Sequence, residues 1–173
     1  MGEDERRRLF RKWLEERRGI VYKVIRAFAA DREDQRDLFQ EIALQLWRST
    51  AVFRSGGGES TWVYKVALNT AMVYHRINNR HRVASIDDNE GLEPSAIPDD
   101  PTALEKREML ERVYSEIRRL PEADRSIVLL NLDGFSNGEI ADMVGISPGY
   151  VAVRLTRARK RLSEFTRRTT DGA

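Results

Sequence analysis

Residues 137–156 read NGEIADMVGISPGYVAVRLT, a pattern typical of two short helices that cross at a tight turn. Ser136 with Glu139 forms a capping-box signature for the first helix. Gly145 supplies the left-handed backbone freedom that such a turn requires. The stretch therefore predicts a helix-turn-helix, the unit that holds its second helix in the major groove of DNA.

The second helix of this unit carries an apolar face and a face suited to DNA. Its predicted buried stripe, at helical spacing, is Val151, Leu155, Ala158 and Leu162. The residues predicted to contact DNA are Ser147, Tyr150, Val153, Arg154, Thr156, Arg157 and Lys160. Val153 and the Thr156 methyl group suit a thymine methyl, and Arg157 suits a guanine edge. The alternative is a helical hairpin without a nucleic-acid partner, but the basic run RARKRL favours a track of phosphates.

Composition excludes several classes of protein. The 173 residues contain no cysteine and two histidines, which do not share a helix face, so neither a disulfide nor a metal site is expected. We expect no cofactor. The apolar runs are too short to span a bilayer and the N-terminus is highly charged, which predicts an intracellular, cytoplasmic protein without membrane insertion.

Charge divides the chain into three parts. Residues 1–83 carry 17 Lys and Arg against 11 Asp and Glu, and residues 104–173 carry 13 against 11. Residues 84–103 contain six acids, three prolines and no basic residue. This composition predicts a flexible acidic linker between two basic domains.

Both domains are predicted to be all-α. Apolar residues recur at helical spacing across residues 9–13, 20–28, 38–47 and 62–77 of the first domain. This spacing places Ile77 on the core side of its helix, and a break between the first two helices is predicted near Gly19. In the second, helices are expected over residues 104–120 and 122–132, before the helix-turn-helix. Small helical domains of this kind bury their apolar stripes against one another.

The helix over residues 34–48 is predicted to have an acidic outer face. Its outward positions are Asp34, Asp37, Gln40, Glu41 and Leu44. Three interpretations remain open: a solvated face, a docking surface for a basic partner helix, and a paired-carboxylate active site. The last lacks a matching histidine or a second acidic motif.

The helix over residues 61–82 carries a basic stripe. The stripe contains Lys65, Asn69, Arg76 and Arg80, and it follows a glycine-rich loop and two aromatic residues. Cations that track a backbone, next to groups that hold an unstacked base, are what single-stranded DNA requires. The alternative is that Phe53 and Trp62 are ordinary core aromatics.

Two long segments resemble a known family. Residues 37–80 are similar to the second conserved region of bacterial sigma factors, and residues 120–162 are similar to the fourth. The short acidic linker resembles that of the extracytoplasmic-function, two-domain class of the sigma-70 family. The resemblance implies a non-enzymatic subunit that directs core RNA polymerase to promoters. Its implied partners are the clamp helices and flap of the polymerase, promoter DNA as duplex and single strand, and an anti-sigma factor.

The resemblance also implies roles for individual residues. The polymerase-binding residues would be Asp34, Asp37, Gln40, Glu41 and Leu44. The residues that melt and hold the −10 element would be Phe53, Arg54, Ser55, Gly56, Gly57, Gly58, Glu59, Ser60, Trp62, Lys65, Asn69, Arg76 and Arg80. The second helix of the helix-turn-helix would read the −35 element.

The chain departs from the family pattern at three places. Arg36 stands where an acid is usual, which weakens complementarity to a basic clamp. The glycine-rich loop has no aromatic residue. Ala152 and Val153 replace a basic-serine pair, and Tyr150 replaces a threonine. Two other functions therefore remain open: a stand-alone helix-turn-helix regulator, and an adaptor that docks on polymerase without melting DNA.

Overall fold

The computed structural model describes residues 2–54, 58–81 and 101–170. These residues form eight helices and no strand: α1 Glu3–Glu16, α2 Arg18–Phe28, α3 Arg32–Ser49, α4 Glu59–His81, α5 Pro101–Arg118, α6 Glu122–Leu132, α7 Asn137–Val144 and α8 Pro148–Thr170. The all-α prediction is confirmed. The chain divides into two compact units, Met1–Gly91 and Leu92–Ala173.

The N-terminal unit is built on α2, α3 and α4, with α1 packed against α2 and α3. Its core includes Ile25, Leu38, Ile42 and Ala67, none of which is accessible to solvent. The start of α3 is fixed by Asp31, whose Oδ1 accepts a hydrogen bond of 2.7 Å from the backbone N–H of Asp34. This cap explains why the helix begins where the sequence changes from apolar to charged.

In the C-terminal unit α6 is the central helix. Residues 127–130 of α6 are all buried, because α7 and α8 pack against one side and α5 covers another. Arg125 is 8% exposed, and its Nε donates to the Leu120 carbonyl oxygen at 2.8 Å. Burial lowers the pKa of Arg125. This hydrogen bond fixes the corner between α5 and α6.

The structure differs from the sequence prediction at several positions. Ile77 was predicted to face the core but is 52% exposed, because it lines an open cleft between α3 and α4. The break after α1 falls at Arg17, and Gly19 lies inside α2. Helix α5 begins at Pro101, inside the predicted linker. Residues 84–100 of that linker lie outside the described residues, and the boundaries at 83 and 104 stay predictions.

Candidate nucleic-acid interfaces

The turn between α7 and α8 is fixed by short-range hydrogen bonds. Ser136 Oγ accepts from the Glu139 backbone N–H at 3.2 Å, and the Ser136 N–H donates to Glu139 Oε2 at 2.8 Å. The hydrogen bond from the Ser136 backbone N–H is the main cause that lowers the pKa of Glu139, and the hydrogen bond with the Ser136 side chain acts in the same direction. Gly145 ends α7 with a φ of 78°, and Ser147 Oγ accepts from the Tyr150 N–H at 3.2 Å. The predicted capping box and turn glycine are confirmed, and the Ser147 side chain caps the start of α8.

Helix α8 buries one face and exposes the other. Val151, Leu155 and Ala158 are at most 4% exposed, as their spacing predicted. The exposed residues of the opposite face are Tyr150, Ala152, Val153, Thr156, Arg157 and Lys160. Tyr150 and Val153 are each more than 40% exposed. The part of α8 that the structure describes therefore presents an outer surface with apolar residues and two cations, Arg157 and Lys160.

Arg154 lies on α8 but binds within its own unit. Its Nε donates to Asp124 Oδ1 at 2.5 Å, and its Nη1 donates to the Tyr150 hydroxyl at 3.1 Å. The Asp124 carboxylate, which is 5% exposed, raises the pKa of Arg154. Arg161 Nη1 lies 3.9 Å from the other oxygen of the same carboxylate. The predicted DNA contact of Arg154 therefore competes with an ion pair that fastens α8 to α6.

The acidic face of α3 is exposed where the sequence predicted it. Asp37, Gln40 and Glu41 are exposed, and Leu44 is 41% exposed. Asp34 is half-buried instead, and its Oδ1 accepts a hydrogen bond from the Tyr74 hydroxyl on α4 at 3.4 Å. Burial raises the pKa of Tyr74 to about 12, with Asp34 and Asp37 acting in the same direction. Tyr74 therefore stays a neutral donor that links α3 to α4.

A cleft of about 750 Å³ is lined by residues of both α3 and α4. Glu41 lines its α3 side and Asn69 its α4 side, so two surfaces that the sequence treated separately meet there. Val52, Val73 and Ile77 line the same cleft and are each more than half exposed. This apolar lining was not predicted from the sequence. The apolar spacing placed Ile77 in the core, and Val52 and Val73 were given no role. Lys65 and Arg76 are exposed on α4.

The connection between α3 and α4 is bordered by packed aromatic rings. The Phe53 ring lies 5.1 Å from the Trp13 ring and 5.5 Å from the Trp62 ring, edge to face in both pairs. Phe53 and Trp62 are therefore partly buried in one aromatic cluster. Arg54 is exposed and Gly58 has a φ of 74°. Ser55, Gly56, Gly57 and the side chain of Arg80 lie outside the described residues, and Ser60 lies in the first turn of α4.

The described helices carry no metal-binding constellation. No group of three His, Asp or Glu side chains in these ranges is placed to bind a metal ion. None of the helices searched within the described ranges has the length and apolar character needed to cross a bilayer.

The chain is similar to known proteins over most of its length. Residues 13–81 match sigma-70 region 2, and residues 110–162 match sigma-70 region 4. The ECF RNA polymerase sigma-E factor of Escherichia coli strain K12 is 31% identical over 135 residues, which cover 73% of this chain and 71% of that protein. The chain belongs to the ECF sigma factors. It directs promoter-specific initiation of transcription by RNA polymerase.

Other similar proteins agree with this assignment. The ECF sigma factor SigM of Mycobacterium tuberculosis H37Rv is 28% identical over 146 residues, 84% of this sigma factor and 70% of SigM. The fold is similar to that of the sigma factor RpoE of Bartonella quintana, solved with the anti-sigma factor NepR. The TM-score is 0.67 at 19% identity, over 91% of this chain and 95% of that one.

Two features of this sigma factor were missed by the sequence analysis. Helix α1 contacts the α3–α4 connection through Arg6, Phe10, Lys12 and Trp13, and Asp124 binds Arg154 from 30 residues away. The sequence signal for α1 was the helical spacing of apolar residues across residues 9–13, which predicted a helix there but not its contacts. Asp124 gave none, because an acid in the first turn of a helix is common for reasons of the helix dipole.

Proposed function

We propose that this sigma factor divides promoter recognition between its two units. The N-terminal unit docks on core polymerase and holds the non-template strand of the −10 element, and the C-terminal unit reads the −35 element. The observation that carries the proposal is the exposed outer face of α8, presented by a capped turn, together with the family membership. The protein acts as a binding subunit and not as an enzyme, in the bacterial cytoplasm where its polymerase works.

Polymerase docking is assigned to the exposed face of α3. Asp37, Gln40 and Glu41 offer acceptors and negative charge, and Leu44 adds exposed apolar area for a basic, partly apolar partner helix. Arg36 on the same helix reduces this complementarity. The half-buried Asp34 contributes by holding Tyr74 and thereby the angle between α3 and α4.

The docking assignment is tested by charge reversal. Asp37→Arg with Glu41→Arg should abolish co-purification with core polymerase while the helical circular dichroism stays unchanged. The matched control is Asp4→Arg with Glu15→Arg, two exposed acids of α1 that give the same change in net charge. Full retention of polymerase by the α3 variant would contradict the assignment.

Strand capture is assigned to the exposed polar side of α4. Asn69 lies at the rim of the cleft with an amide that can pair with a base edge, and Lys65 and Arg76 provide charge for phosphates. Phe53 and Trp62 support this surface from their aromatic cluster. Asn69→Ala should impair permanganate-detected opening more than formation of the closed complex. An equal loss in both steps would contradict base capture.

Upstream readout is assigned to the outer face of α8. Val153 and the Thr156 methyl group suit thymine methyl groups, and Arg157 suits a guanine edge or a phosphate. Arg157→Ala should weaken binding to the upstream element. Replacing upstream thymines by uracil removes only the methyl groups. The replacement should therefore weaken DNA binding by the unmodified protein more than DNA binding by a Val153→Ala variant.

The partners follow from the same assignments. Promoter fragments should shift in gels only when core polymerase is present, whereas tight binding without polymerase would favour a stand-alone regulator.

Because RpoE of Bartonella quintana was solved with an anti-sigma factor, we propose a similar partner for this chain. Unstacked thymines in permanganate footprints would exclude an adaptor that docks without melting.

A further inference from the structure

Helix α1 lies almost entirely before the part of the chain that matches sigma-70 region 2. The match begins at residue 13, whereas α1 spans Glu3–Glu16. The family resemblance therefore assigns no role to its first ten residues. Besides packing on α2 and α3, several of their side chains contact residues on either side of the connection between α3 and α4.

The first contacts fix the end of α3. Arg6 Nε donates to Thr50 Oγ1 at 3.0 Å, and Thr50 is completely buried. The Arg6 guanidinium also lies 4.8 Å from the centre of the Trp47 ring, and the Phe10 ring lies 5.6 Å from the same ring. A cation over an indole and an edge-to-face ring pair both add to simple burial.

The next contact lies under the connection itself. Trp13 is completely buried and packs against Phe53, which in turn packs against Trp62 at the start of α4. The Trp62 Nε1–H donates to Ser49 Oγ at 3.1 Å, so the last residue of α3 is tied directly to α4. The Trp13 ring therefore supports the aromatic cluster through its contact with Phe53.

The last contact fixes the beginning of α4. Lys12 Nζ lies 2.9 Å from Glu59 Oε1, and Glu59 is the first residue of α4. Arg6 and Lys12 are nearly two turns apart on α1, and they hold residues 50 and 59 on opposite sides of the connection.

We infer that α1 is a positioning element for strand capture, which holds both flanks of the α3–α4 connection in place for the incoming strand. The inference rests on the proposed assignment of strand capture to the exposed polar side of α4, which the aromatic cluster of Phe53 and Trp62 supports. Because α1 already holds Thr50, Phe53 and Glu59 in place, no binding free energy is lost to ordering these residues when DNA binds. Helix α1 acts through Thr50, Phe53 and Glu59, without itself touching DNA.

The Lys12–Glu59 ion pair offers a test that leaves the core intact, since the two side chains are 45% and 24% exposed. The full chain is bound to core polymerase on a promoter fragment, and opening is followed by permanganate reactivity. Lys12→Glu should reduce open complex by about two- to fivefold, the range for a solvent-exposed pair. Adding Glu59→Lys should restore at least half of the loss, with unchanged polymerase binding.

The control is an ion pair within α1, between Arg7 and Glu3, which does not reach the connection. The variants Arg7→Glu, Glu3→Arg and their combination should all form the same amount of open complex as the unmodified protein. If the loss of open complex in the double variant equals the product of the losses in Lys12→Glu and Glu59→Lys, the two residues are not coupled and the inference is wrong. The proposed function still stands in that case, provided that Asn69→Ala impairs opening. If Asn69→Ala opens normally, the assignment of strand capture fails and the inference fails with it.

Discussion

The two connections next to the residues that we propose to bind DNA are built in opposite ways. The α7–α8 turn is held by bonds between residues three to five apart, within Ser136–Tyr150. The α3–α4 connection depends on partners up to 47 residues away, because Arg6, Lys12 and Trp13 of α1 hold its flanks. The first geometry is encoded locally, whereas the second exists only after the N-terminal unit has folded.

The comparison predicts that the α3–α4 connection is the more sensitive to a distant substitution. Trp13→Ala should lower the unfolding free energy of the N-terminal unit by about 3–5 kcal/mol, the usual cost of removing a buried aromatic side chain. All three tryptophans lie in that unit, so tryptophan fluorescence in urea monitors it selectively. Trp13→Phe should cost much less, because it keeps a ring and removes an indole N–H that has no hydrogen-bond partner among the described residues. A loss below about 1 kcal/mol for Trp13→Ala would contradict the long-range account.

A long-range contact of the C-terminal unit, the pair between Asp124 and Arg154, sharpens the comparison. Asp124→Ala should reduce the protection of α8 amides from hydrogen exchange by about 1.5–3 kcal/mol, the range for hydrogen bonds to charged groups. Asp142→Ala, which removes an exposed acid from α7, is the control and should leave α8 unchanged. If α8 amides are equally protected from exchange in Asp124→Ala and in Asp142→Ala, the ion pair does not stabilise the packing of α8 on α6.

The local turn should respond to its own residues. Gly145→Ala places a side chain at a φ of 78° and should cost about 1–2 kcal/mol in the stability of the C-terminal unit. Gly149→Ala is the matched control, because Gly149 lies in a helix with open space around it and alanine should stabilise it by about 0.5–1 kcal/mol. Thermal unfolding followed by circular dichroism measures both. A neutral Gly145→Ala would contradict the turn geometry.

The smallest expected effect is the pH dependence of the α7 cap. The pKa of Glu139 is lowered in the folded chain, so its carboxylate stabilises the cap above the ordinary glutamate pKa. That stabilisation is lost as the pH falls through the lowered value. Amide exchange in α7 should therefore accelerate in acid, and Glu139→Gln should remove this dependence. If amide exchange in α7 of the Glu139→Gln variant still accelerates in acid, another titrating group causes the pH dependence.

Sequence rules predicted the α7–α8 turn residue by residue, because capping boxes and turn glycines act over a few positions. They also predicted the α3 face, since helical periodicity fixes which side of α3 is exposed. They failed for Ile77, for the role of α1 and for the partner of Arg154. Each of these depends on which helix ends beside which, and spacing within one helix does not contain that information.

The most direct test of the central claim is transcription from genomic fragments by core polymerase with and without this chain, with sequencing of the RNA 5′ ends. We predict discrete start sites that need the chain and share one pair of upstream elements. Asp37→Arg with Glu41→Arg should abolish them. RNA levels no higher than those from core polymerase alone, on every fragment, would contradict the claim that the two units together direct promoter recognition.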